Sequence, residues 1–176
     1  MKRLIFVSLL VLLAAGSYRS FGSAETGTGT LTLPQPAPNV GQDAREFTVR
    51  TVDGEPFTLS DEGTYVLTFW STLNEGSNDA QPAFAELARE YADEGVSFAV
   101  VYVNSAPRDG DAPYARLQDG TGKLTSWYNV KRVPRLFVVE GGEIQLVQNG
   151  YYEEYKADLE TALEESLTNE TQASGG

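Results

Sequence analysis

The chain has 176 residues, 13 Lys and Arg against 25 Asp and Glu, a formal net charge of −12, and neither Cys nor His. So acidic a chain, with no dense basic tract, is repelled by phosphate backbones and anionic lipid, which argues against nucleic-acid binding. Without Cys it can form no disulfide, thiolate nucleophile or thiolate metal site, and without His it lacks the side chain that most often shuttles protons or binds zinc and copper; neither a metal nor a cofactor is expected.

Residues 1–24 have the form of a Sec-type leader. Lys2 and Arg3 precede an apolar run over 4–16 that is shorter than a membrane span, and Ala14-Ala15-Gly16 or Gly22-Ser23-Ala24 offers a small-residue cleavage site. Export is the expectation, to the periplasm, the extracellular space or the outer face of the cytoplasmic membrane. Left uncut, the segment is a signal anchor, the one membrane attachment expected. Residues 25–39 are a Gly/Thr/Pro-rich linker, with Thr26-Gly27-Thr28-Gly29-Thr30 followed by Pro34-Gln35-Pro36-Ala37-Pro38. A single domain is expected over 40–167 and a flexible tail over 168–176.

Within the domain, extended runs at 46–52 and 56–59 surround Asp53-Gly54, a turn pair, and predict a hairpin. Residues 65–70, Tyr-Val-Leu-Thr-Phe-Trp, are too short for a helix and suit a buried central strand. Phe84, Leu87, Ala88 and Tyr91 then recur at helical spacing, predicting a helix over 80–94 that Gly95 stops. A strand thus delivers the chain through 71–77 to a helix N-terminus, where unpaired N–H groups and the helix dipole favour ligand contact. The apolar run 96–103 predicts a strand parallel to the first. In the loop 104–113, Arg108-Asp109-Gly110-Asp111 lacks the spacing of a calcium loop and reads as a solvated turn. A short strand at 115–118, a short helix at 122–128 and a hairpin at 135–140 and 143–148 around Gly141-Gly142 follow. Tyr152, Tyr155, Leu159, Leu163 and Leu167 then form a helical stripe able to cover the sheet.

This order, with the run Phe69-Trp70-Ser71-Thr72-Leu73-Asn74-Glu75-Gly76-Ser77 leading to Pro82, resembles the thioredoxin-like superfamily in its exported TlpA/ResA-like redoxin (AhpC/TSA-type) branch. Members carry Phe-Trp-x-x-Trp-Cys-x-x-Cys-x-x-x-x-Pro at that spacing. Ala37-Pro38, Phe47, Asp53-Gly54, Leu59-Ser60, Tyr128-Asn129-Val130, Val133-Pro134 and Gly141-Gly142 also match in order. The resemblance implies an α/β thioredoxin-like fold: a central mixed β-sheet flanked by helices, with an N-terminal hairpin extension.

The redox cysteines of that family fall on Asn74 and Ser77, so the resemblance implies thiol–disulfide oxidoreductase chemistry that these side chains cannot carry. No catalytic residue is therefore assigned. The resemblance also implies a cis-proline at Pro134 and a groove for a protein or peptide partner formed by Trp70, Asn74, Glu75, Ser77, Val133 and Pro134. Asn-Glu-Gly-Ser is first of all good turn and cap chemistry, with Ser77 the expected cap, and Trp70 suits a core. Lys131, Arg132 and Arg135 make a basic patch suited to an internal ion pair or a partner carboxylate. Competing readings are the family's oxidoreductase activity and a hydrolase built on Ser77 with Glu75 or a lysine.

Overall fold

The strand expected at the centre is β3, Thr64–Trp70, whose residues Val66 to Trp70 are all buried. The computed structural model describes residues 38–107, 110–151 and 155–174; the leader, nearly all of the linker, Arg108, Asp109 and Tyr152 lie outside them. In chain order the remaining elements are β1 (Phe47–Arg50), β2 (Pro56–Leu59), α1 (Glu75–Glu90), a 3-10 turn (Ala92–Glu94), β4 (Val96–Tyr102), β5 (Ala115–Gln118), α2 (Lys123–Trp127), β6 (Arg135–Glu140), β7 (Glu143–Asn149) and α3 (Lys156–Ser174). The fold is thioredoxin-like: a five-stranded sheet of order β5-β4-β3-β6-β7 flanked by helices, with the separate two-stranded hairpin β1-β2. β3 pairs in parallel with β4 across the α1 crossover and antiparallel with β6.

Alternation along the strands divides the core into two layers. Val66, Trp70, Phe98, Val100, Leu136 and Val138 meet Phe84, Leu87 and Ala88 of α1 and Leu159 and Leu163 of α3. Leu67, Phe69, Val101, Leu117, Phe137 and Val139 meet Phe47, Leu59, Leu124 and Tyr128 on the other face. Tyr128 is fully enclosed by Phe69 and Phe137, and its hydroxyl donates to the Arg45 carbonyl at 3.0 Å, which ties the entry of the domain to the sheet. Burial raises the pKa of this phenol, as it does for Tyr102.

Both margins of the sheet are partly covered. Along β7, Gly41 donates to the Ile144 carbonyl at 2.8 Å, Ile144 to Gln42 at 2.9 Å and Ala44 to Gly142 at 2.7 Å. Along β5, Val52 donates to the Arg116 carbonyl at 2.8 Å, and the Arg116 guanidinium grips both Asp53 oxygens at 2.7 and 3.0 Å. Coverage of this kind withholds the open ladder through which sheets aggregate.

Two boundaries differ from the sequence reading. α1 starts at Glu75 rather than near residue 80, because a polar cap rather than an apolar stripe nucleates its first turn. α3 runs on to Ser174, past Thr168 where the tail was expected; the Thr168 hydroxyl bonds back to the Glu164 carbonyl at 2.8 Å, and no breaker intervenes.

The β6-β7 turn gives the first prediction. Gly141 and Gly142 both have positive φ, at 55° and 79°, the pattern of a tight hairpin. A methyl on Gly142 would stand 3.0 Å from the Asp61 Cα, whereas one on Gly141 would meet nothing within 4 Å. Gly141→Ala should therefore lose about 1 kcal/mol from backbone conformation alone, and Gly142→Ala about 2 kcal/mol or more, in urea unfolding.

Candidate functional site

The C-terminal ends of β3 and β4 lie side by side because the strands are parallel, and the 71–74 loop leaves from this rim. Asn74 is the N-cap of α1: with extended φ and ψ of −105° and 121°, its Oδ1 accepts the Ser77 N–H at 2.9 Å and the Ser77 hydroxyl at 3.2 Å. The Ser77 Oγ in turn accepts the Ser71 N–H at 3.4 Å, and the Ser71 Oγ accepts the Leu73 N–H at 3.2 Å. Asn104, at the end of β4, accepts the Thr72 N–H at 3.1 Å and donates to the Thr72 hydroxyl at 2.6 Å. Asn78 donates to the Thr72 carbonyl at 3.2 Å, and Asn74 N–H bonds the Ser71 carbonyl at 3.1 Å.

The tip is thus closed by its own amides and hydroxyls. The sequence pointed to several open N–H groups here, but those of Ser71, Thr72, Leu73, Asn74 and Ser77 are taken. Among the described residues only Glu75 and Gly76 keep unpaired N–H groups at the start of α1. Asn104 escaped the sequence reading because it sits in a polar loop 32 residues from Thr72. Its signal would have been the rule that parallel strands bring their C-terminal ends to one rim.

Of the six residues expected to line a groove, two are out of reach. Trp70 is 2% exposed and packs edge-on against Phe84, with ring centroids 5.1 Å apart; its Nε1 is buried without a hydrogen-bond partner. Ser77, also 2% exposed, faces inward and is not the helix cap; the cap is Asn74, which precedes the first turn while Ser77 lies inside it. The same burial counts against the hydrolase reading, since the Ser77 hydroxyl is enclosed and already donates to Asn74 Oδ1.

Asn74, Val133 and Pro134 are half-buried, and Glu75 is exposed in the first turn, where its charge suits the helix dipole. The Val133–Pro134 peptide is cis. Pro134 lies against the start of α1: a methyl on Gly76 would stand 3.7 Å from its Cδ and 3.4 Å from Asn74 Oδ1. The Pro134 carbonyl accepts the Gly150 N–H at 2.8 Å, but the Val133 N–H and C=O have no partner among the described residues. Leu73, which the groove reading omitted, is the most exposed large apolar side chain described, at 88%.

The cap can be tested directly. Asn74→Ala should destabilise the fold by about 1–2 kcal/mol, because the Ser77 N–H is left buried without an acceptor. Asn74→Asp should recover most of the loss, and equal urea midpoints for the Ala and Asp variants would contradict the capping geometry.

Among the described residues no helix is long and apolar enough to cross a membrane, and no group of three or more His, Cys, Asp or Glu could hold a metal ion.

Comparison with known proteins agrees with this architecture. The thioredoxin-like protein YneN of Bacillus subtilis is 32% identical over 124 residues, covering 62% of this chain and 71% of the relative. A Chlorobium tepidum protein assigned as the thiol:disulfide interchange protein DsbE superposes with a TM-score of 0.67 at 21% identity, over 74% of this chain and 99% of its own. The exposed lipoprotein thioredoxin Etrx1 of Streptococcus pneumoniae gives a TM-score of 0.58 at 24% identity, over 68% of this chain and 99% of its own. At such identities the two structures establish the fold alone. Residues 40–147 match the AhpC/TSA family, and with the YneN similarity this places the chain in that family of thioredoxin-like redoxins.

Proposed function

We propose that this chain is a redox-inert, extracytoplasmic member of the AhpC/TSA family that holds an extended segment of a partner protein against the Val133–Pro134 turn. The observation that carries this is the pairing of a sulfur-free, hydrogen-bonded tip at Asn74 and Ser77 with a neighbouring turn whose Val133 backbone groups are unpaired. Disulfide exchange needs a thiolate to attack and a second sulfur to resolve the mixed disulfide. An amide and a buried hydroxyl supply neither. The Val133 N–H and C=O, by contrast, can take the two main-chain hydrogen bonds by which an extended peptide is recognised. Lys2, Arg3 and the apolar run behind them support export, as does the likeness to an exposed lipoprotein thioredoxin.

The test is a photo-crosslinker at Leu73, which is exposed beside the turn and outside the capping network's side chains, compared with one at Glu165 on the exposed face of α3. Capture of a discrete partner at Leu73 and not at Glu165 is expected, together with insulin reduction no faster than the blank. Equal labelling at the two sites would remove the groove, and turnover above the blank would restore the oxidoreductase reading.

A further inference from the structure

Three of the chain's 13 Lys and Arg residues, Lys131, Arg132 and Arg135, fall within five positions around Pro134. Acids outnumber bases almost two to one in this chain, so an ion-pair partner should be easy to find. None of the three has one among the described residues, whereas Arg116 pairs with Asp53 and Lys156 with Glu160. Of the other described cations, Arg45 and Lys123 lie over the Trp127 ring at 4.0 and 4.4 Å and Arg50 donates to the Gly54 carbonyl at 2.7 Å, while Arg89 stands alone in the last turn of α1, where its charge suits the helix dipole.

Arg135 is the most telling of the three. It is half-buried, with its Cζ 5.2 Å from the Phe137 ring centroid and its Nε enclosed without an acceptor. Burial lowers its pKa, so desolvation is not offset by any neighbouring carboxylate. The Nε is sealed from solvent, but the terminal nitrogens are not, and an incoming carboxylate meeting them offsets part of the desolvation by a charge-assisted pair. Lys131 and Arg132, both exposed, directly precede Val133 in the chain, so three cations flank its unpaired backbone within five residues.

We infer that the segment received at the Val133–Pro134 turn is acidic, carrying Asp or Glu side chains that meet Lys131, Arg132 and Arg135. This rests on the groove reading above and gives the partner its chemistry. A strand laid against Val133 turns every second side chain to the same side, so acids at alternate positions match the cationic strip. Leu73, exposed at the neighbouring tip, suits an apolar residue beside them. The chain's charge of −12 repels an acidic ligand at long range, but screening at physiological salt confines that repulsion and leaves the local cations in control. A preference for acid here is therefore a property of this strip and not of the protein's overall field.

The test uses three fluorescein-labelled peptides, Thr-Val-Glu-Val-Glu-Leu-Thr and its Gln and Lys counterparts, titrated with the full chain and followed by anisotropy. The Glu peptide should bind about fivefold or more tightly than the Gln peptide, as expected from two partly exposed ion pairs, with the Lys peptide weakest. Lys131→Glu with Arg132→Glu should invert the order, with an unchanged thermal melt because both side chains are exposed and unpaired. Equal binding of the Glu and Gln peptides would overturn the acidic partner while leaving the groove. Failure of all three peptides, together with no selective capture at Leu73, would overturn both. Self-association in sedimentation that the double charge reversal abolishes would hand the strip to a second copy of the chain and overturn the proposal.

Discussion

Converting Asn74 and Ser77 together to cysteine should give a variant that reduces insulin measurably in the presence of dithiothreitol, where the native chain is expected to match the blank. The two side chains already meet, with Oδ1 and Oγ 3.2 Å apart across the first turn of α1. Position 74 is half-buried at the helix tip, next to the unpaired N–H groups of Glu75 and Gly76. That setting stabilises a thiolate, lowering a free thiol from about 8.5 into the range of about 3.5–7.5. Position 77 is enclosed, as suits a sulfur that resolves a mixed disulfide rather than one that forms it. Loss of the Asn74 cap should cost about 1–2 kcal/mol, small enough for the double variant to fold. The single Asn74→Cys variant should form mixed disulfides without turning over. A double variant with a native circular dichroism spectrum and blank turnover would show that the tip no longer has redox geometry.

Phe84→Ala should be the most damaging single substitution. Phe84 has no exposed surface, and its ring stands edge-on to Trp70, Phe98 and Tyr114 with centroids 5.1, 5.5 and 5.4 Å away. Truncating a buried Phe costs about 3–5 kcal/mol through lost transfer energy and the cavity left behind, a large part of the roughly 5–15 kcal/mol that holds a domain folded. Phe84→Leu, which keeps most of the volume, should cost markedly less. Urea midpoints decide the matter. A loss below about 1 kcal/mol for Phe84→Ala would mean that the aromatic cluster collapses readily around the gap.

Much of this architecture could be read from apolar runs alone. β3, β4 and β6 announce themselves because central strands are buried on both faces and need nearly continuous hydrophobic sequence. β5 over Ala115–Gln118 falls where the reading put it. The start of α1 was hidden because Asn74 to Asp79 hold no apolar stripe; the first turn depends on capping, which periodicity does not register. The end of α3 was hidden for a related reason, since the stripe stops at Leu167 while polar residues carry the helix on to Ser174. At the site, motif spacing located Asn74, Ser77 and Pro134 but could not say which side chains face inward. Burial of Trp70 and Ser77, and the grip of Asn104 on Thr72, are products of tertiary packing between distant segments.

The covered margins of the sheet bear on where a guest can lie. Residues 41–44 cover the start of β7 on one flank and the turn after β1 meets β5 on the other, so a visiting strand finds both flanks partly taken. Under the proposed reading, main-chain recognition would fall to the interrupted backbone at Val133.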